Sequence, residues 1–124
     1  MPRILLVEDD ETSREMLALR LELNGFDVLC ATNGADAIDQ AFDGSPDLIL
    51  LDMNLPKVDG WAIARKLKDN VLTSSIPIIG VSAHAMPGDR ERALDCGCTE
   101  YETKPVDWAA LGPKICALLK DKLA

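Results

Sequence analysis

Apolar residues along the chain fall into two alternating patterns. Three runs are short and continuous: Ile4 to Val7, Leu48 to Leu51 and Ile76 to Val81. Being leucine-rich or β-branched without polar alternation, they predict strands covered on both faces. Two weaker runs, Asp27 to Ala31 and Thr99 to Thr103, predict further strands, the second being more polar and so suited to a sheet edge. Between strands the apolar spacing lengthens to that of a helix, as in Met16, Leu17 and Leu21, and again in Ala37, Ile38, Ala41 and Phe42. Asn24-Gly25, Gly44 with Pro46, and Gly97 are stop signals suited to a left-handed C-terminal cap. Asn33, Asp59 and Asp107 are candidate N-caps of helices two, three and five. Gly112-Pro113 interrupts the fifth helical segment: either the helix kinks there, or a turn from Asp107 precedes a helix that starts at Pro113.

Five strand–helix units in this order predict an α/β three-layer sandwich with a parallel sheet, because parallel neighbours need right-handed helical crossovers. The 124 residues, nearly half of them apolar, suffice for one domain over 1–124 with its own core. The formal charge of −8 argues against a phosphate-backbone binder, so neither nucleic acid nor an anionic membrane is an expected partner. No stretch approaches the roughly 20 apolar residues of a membrane span and no signal peptide is evident, so a cytoplasmic protein with free thiols at Cys30, Cys96, Cys98 and Cys116 is expected. Cys96-Gly97-Cys98 is a single CxC without a second ligand pair and reads as ordinary, partly buried thiols.

In open parallel sheets the site lies beyond the carboxyl ends of the strands. Here those ends are polar: Glu8-Asp9-Asp10 after strand one, Asp52 after strand three, Ser82 after strand four and Lys104-Pro105 after strand five. Each alone has a plain reading as a solvated loop residue or a helix-terminal charge; their joint position at one end of successive strands is what points to a site. Carboxylates within about 4 Å repel by roughly 4 kcal/mol per pair at an effective dielectric near 20, so the cluster implies a hard divalent cation. Mg²⁺ suits one or two carboxylates plus water and a phosphate oxygen, and it would keep Asp52 ionised as an oxygen nucleophile. A metal, a hydroxyl and a lysine around one carboxylate are what phosphoryl transfer needs.

Over its full length the chain resembles the response-regulator receiver domains of bacterial two-component signalling, in particular single-domain, chemotaxis-type regulators. The resemblance is carried by ILLVEDDE at 4–11, PDLILLDMNLP at 46–56, Asp59-Gly60, VSA at 81–83 and Lys104-Pro105. It implies a flavodoxin-like fold with strand order 2-1-3-4-5 and five helices, Asp52 as phosphoacceptor, Asp9 as a direct Mg²⁺ ligand, Glu8 acting on the metal mainly through water, and the Asn54 backbone carbonyl as a further ligand. Asp10 is an alternative register for the acidic pair. Ser82 resembles the hydroxyl that turns towards the phosphoryl group, and Lys104 its paired cation, before a peptide bond that is cis in the family. Tyr101 matches an aromatic that swings inward on activation. His84 and Asn54, each two residues past a site residue, are expected to set the phosphate lifetime.

The resemblance further implies a switch and not an enzyme with an external product. It would be phosphorylated by a sensor histidine kinase or a histidine phosphotransfer protein. Because the chain ends with the fifth helix, output is expected through a protein contact on helix four, strand five and helix five, with Met86, Tyr101, Trp108 and the Pro113 segment as candidate residues. A diffusible effector and a phosphorelay shuttle both remain open. Two alternative readings ask for different residues. A haloacid-dehalogenase-type Mg²⁺ phosphatase would need an aspartate where Asn54 stands; a receiver-like interaction module that is never phosphorylated would not need all of Glu8, Asp9, Asp52, Ser82 and Lys104.

Overall fold

The computed structural model describes residues 1–55, 60–83 and 86–120. The elements follow in the order β1 (Arg3–Val7), α1 (Glu11–Leu23), β2 (Asp27–Ala31), α2 (Gly34–Asp43), β3 (Leu48–Asp52), α3 (Gly60–Asp69), β4 (Ile78–Ser82), α4 (Asp89–Asp95), β5 (Glu100–Thr103) and α5 (Trp108–Leu118). All four strand pairings are parallel, and the sheet runs β2-β1-β3-β4-β5, the flavodoxin-like order. The polar strand β5 lies at an edge, as its composition predicts.

The continuous apolar runs are explained by the two faces they feed. Ile4 and Leu6, Leu48 and Leu50, and Ile79 pack with Leu21 of α1 and Leu111 and Ile115 of α5. Their alternates, Leu5 and Val7, Ile49 and Leu51, and Ile78, pack with Ala37 and Ala41 of α2, Ile63 and Leu67 of α3 and Ala93 of α4. Alternate residues serve different helical layers, so within these apolar runs both faces of the sheet are covered and polar side chains are confined to the strand ends. Each fully buried Leu or Ile is worth roughly 1.5–3 kcal/mol relative to exposure, which makes these central strands a firm base for the residues at their ends.

Several boundaries differ from the sequence expectation. Strand β4 begins at Ile78, not Ile76: the Ile76 amide bonds back to the Thr73 carbonyl in a turn, and Pro77 has no amide to offer a ladder. Gly25 and Gly97 take positive φ as expected, but Gly44 is right-handed (φ −85°) and the left-handed residue is Ser45 (φ 47°). Space, not handedness, demands glycine at 44, since a Cβ there would lie 2.5 Å from Leu29 Cδ1 and 2.7 Å from the Gln40 carbonyl. Asn33 and Asp107 cap α2 and α5 as expected; Asp59 lies outside the described residues.

Helix α5 is neither restarted nor replaced by a turn: it runs through Pro113 from Trp108 to Leu118. Gly112 sits under the Trp108 indole one turn earlier, where a Cβ would come within 3.1 Å of the ring. The Gly-Pro pair that reads as a break is thus partly a seat for that tryptophan. Cys96 and Cys98 are buried and all four cysteines are free thiols; burial, helped by neighbouring Cys96, pushes the Cys98 thiol up to about 12. Among the described residues no helix is long and apolar enough to cross a membrane.

Candidate active site at the carboxyl end of the sheet

The parallel register carries β1 and β3 side by side up to Val7 opposite Leu51, so the next residue of each strand emerges at the same end. Glu8, Asp9 and Asp52 meet there, each offering a carboxylate oxygen within 4.8 Å of the others. Glu8 and Asp52 are 5% and 4% exposed, whereas Asp9 faces solvent. Asp10, the alternative partner, is engaged elsewhere: its Oδ2 accepts the Ser13 amide at 2.8 Å and caps α1. Those bonds from Ser13 hold the Asp10 carboxyl below the usual carboxylate range.

Lys104, delivered by the end of β5, places its ammonium 2.6 Å from Glu8 Oε2 and 3.3 Å from Asp52 Oδ2. The Lys104-Pro105 peptide bond is cis. Burial pulls the ammonium down, but its hydrogen bond to Glu8 and the charge of Asp52 outweigh this, so its pKa lies above the ordinary lysine value. Burial raises the Glu8 carboxyl, and the neighbouring Asp52 charge adds to it against the opposing bonds from Lys104 and the Asp10 amide. Among the described residues, one ammonium serves a cluster of three carboxylates, bonding two of them. Oxygen donors only, two of them buried, make a set that fits a small hard cation such as Mg²⁺.

Asp52 is held from both sides. Its Oδ1 accepts the Asn54 amide at 2.9 Å while Oδ2 faces Lys104. The Asn54 side chain reaches across to the end of β4, where its Oδ1 accepts both the Ser82 hydroxyl at 2.8 Å and the Ala83 amide at 3.0 Å. Ser82 itself is almost fully buried. This contact of the Asn54 side chain with Ser82 and Ala83 escaped sequence reasoning, which gave the residue a backbone carbonyl for the metal and a part in the phosphate lifetime. So did Arg14, whose guanidinium donates to the carbonyls of Glu8 at 3.2 Å and Asp9 at 3.4 Å and so ties the acidic loop to α1. The only signal for Arg14 is its place one turn into a helix that starts beside the acids.

Of the other expected residues, Tyr101 is buried, its ring stacked on Trp61 at a centroid distance of 6.5 Å, with Arg92 over the far ring at 4.4 Å. His84 lies outside the described residues. Met86 is exposed, as is Pro113. Trp108 is turned away from the face proposed for it: it packs on the α1 side of the sheet, with Arg20 5.8 Å from its ring centre. A cavity of about 610 Å³ opens from Glu8, Asp52 and Lys104 and passes between α1 and α5, by Met16 and Leu17, to Trp108.

Comparison with known proteins points to one family. The response regulator receiver domain family matches residues 4–115. The polar-differentiation response regulator DivK of Brucella anthropi is 39% identical over 107 residues, covering 86% of this chain and 87% of its own. The DNA-binding dual master transcriptional regulator RpaA of Synechocystis is 36% identical over 120 residues, and there the chain spans 97% of itself but only 50% of that relative. Among solved structures, the receiver domain of the Pseudomonas aeruginosa sensor histidine kinase PA1611, which carries a magnesium ion in its active-site cleft, aligns with a TM-score of 0.87 at 31% identity, covering 96% of this chain and 98% of that one.

Proposed function

The chain belongs to the response regulator receiver domain family, and on that footing we propose that it is a Mg²⁺-dependent switch in which Asp52 accepts a phosphoryl group. The observation that carries the reading is the meeting of Glu8, Asp9 and Asp52 at one end of the sheet with Lys104 bonded to two of them. In the transfer, an Asp52 oxygen forms a bond to phosphorus as the bond to the donor's imidazole nitrogen breaks, and that nitrogen leaves with the electron pair. Water later attacks the phosphoryl group, returning the carboxylate and inorganic phosphate. The protein therefore catalyses only its own modification and its reversal.

Asp9 and Asp52 are the proposed direct metal ligands, with Glu8 acting chiefly through water and the Asn54 carbonyl as a further oxygen; that a related receiver domain holds magnesium in its active-site cleft supports the choice of ion. When bound, Mg²⁺ would supply positive charge to phosphoryl oxygens alongside the Lys104 ammonium. The Asn54 amide and the Lys104 ammonium fix the two oxygens of Asp52, so the nucleophile is oriented before a donor arrives. Ser82 is the proposed hydroxyl donor to the phosphoryl group and Tyr101 the proposed reporter of its movement, while Asn54 and His84 govern access of the hydrolytic water. Phosphate would come from a histidine kinase or phosphotransfer protein in the cytoplasm, and the output would pass to a protein target through α4, β5 and α5.

Intact-protein mass after incubation with Mg²⁺ and acetyl phosphate tests the reading. One added phosphoryl group is expected in the wild type and none in Asp52→Asn or with EDTA. A Mg²⁺-dependent gain that survives in Asp52→Asn would place the acceptor elsewhere.

A further inference from the structure

Two hydrogen-bond donors from consecutive residues, the Ser82 hydroxyl and the Ala83 amide, converge on a single oxygen beside Asp52, and that oxygen is Asn54 Oδ1. Donors that converge in this way define a position for an oxygen acceptor. Strand register puts them there: Asp52 pairs with Val81, and the Met53 amide bonds the Val81 carbonyl at 2.8 Å, which sets Asn54 opposite the start of the β4 loop. The Asn54 amide also holds Asp52 Oδ1, so a single residue touches both the acceptor carboxylate and the donor pair.

We propose that the Asn54 side chain is a resting-state latch, its amide oxygen standing in for the phosphoryl oxygen that Ser82 and Ala83 would otherwise bind; this rests on Asp52 being the phosphoacceptor. The carboxamide is neutral, whereas a phosphoryl oxygen is charged, and hydrogen bonds to a charged acceptor are roughly twice as strong. The phosphoryl oxygen therefore wins the two donors, and Asn54 Oδ1 must let go. Any bond strength lost with the latch offsets part of the gain, so the latch sets how far phosphorylation shifts Ser82 and the loop behind it. Asn54 is exposed, and in the released state its amide is satisfied by water. It acts through Ser82 and Ala83 and is a positioning residue.

Beryllofluoride with Mg²⁺, which mimics a phosphoryl group without being hydrolysed, separates this role from any effect on phosphate lifetime. Its affinity is measured by calorimetry in the wild type, Asn54→Ala, Ser82→Ala and the double variant. Because a hydrogen bond nets a factor of a few in an equilibrium, Asn54→Ala is expected to bind about fivefold tighter. That gain should shrink in the Ser82→Ala background, where one of the contested donors is gone. In the metal-free protein, Asn54→Ala should also speed hydrogen exchange at the Ala83 amide, a readout independent of ligand. Unchanged or weaker beryllofluoride affinity in Asn54→Ala, with wild-type binding intact, would overturn the latch alone, as would unchanged Ala83 exchange. Absence of binding to the wild type would overturn the phosphoacceptor reading and the latch with it.

Discussion

Charged side chains gather at both ends of the sheet, yet they do different work. At the amino end, Arg3 of β1 pairs with Asp27 at 3.2 Å, donates to the Gly44 carbonyl at 2.7 Å and offers its backbone amide to Asp47 at 2.8 Å. The Arg3 and Asp27 side chains are 43% and 48% exposed, so water screens the pair and lowers both its strength and its cost. At the carboxyl end, Glu8 and Asp52 are nearly buried and share one ammonium with a third acid close by. Burial and charge balance among the described residues separate the two ends: the first is a screened surface staple, the second a buried acidic cluster that could hold a cation.

The sharpest way to break the contrast is Asp52→Asn, which should abolish phosphoryl uptake entirely by mass measurement, while Asp27→Asn at the opposite end should leave it intact. Next in size, Lys104→Met should strand Glu8 and Asp52 without their cation and cost about 3 kcal/mol in urea unfolding at neutral pH in EDTA. Added Mg²⁺ should recover part of that loss, because a ligand that binds only the folded state stabilises it.

A smaller effect is expected from pH. The folded chain holds the Glu8 proton more tightly than the unfolded chain does, since burial and then Asp52 raise its pKa above the ordinary 4.5. Metal-free stability should thus fall as pH rises from 4.5 through the raised value, and Glu8→Gln should flatten that slope in unfolding titrations. Lys104 works in the opposite range: its raised pKa keeps its contribution through neutral pH, and the loss comes only as pH climbs above 10.5. The smallest effect belongs to the amino end. Arg3→Met should change stability by less than about 1 kcal/mol and do so less at high salt.

The order of elements could be read from the chain because strand and helix periods are local: Ile4 to Val7 and Leu48 to Leu51 carry their alternation within a few residues. Strand ends could be read for the same reason, and with them the set Glu8, Asp9, Asp52, Ser82 and Lys104. Asp10 shows where this stops. Strand-end spacing favours Asp9 over it without excluding it, and it is the start of α1 that draws its carboxylate to the Ser13 amide and away from the other acids. Trp108 and Gly112 make the same point at α5: the sequence reads as an output-face residue ahead of a Gly-Pro break, yet the indole lies over the glycine and packs on the α1 side.

By itself, then, the sequence determined an alternating α/β chain with a buried parallel sheet and a polar cluster beyond its carboxyl edge, since hydrophobic period and strand-end chemistry are written in neighbouring residues. Tertiary structure decided which atoms meet: Lys104 with Glu8 and Asp52, and the Asn54 carboxamide with Ser82 and Ala83. Those contacts join different strands and their loops, and their partners are chosen by strand register and crossover, which no short window of sequence contains.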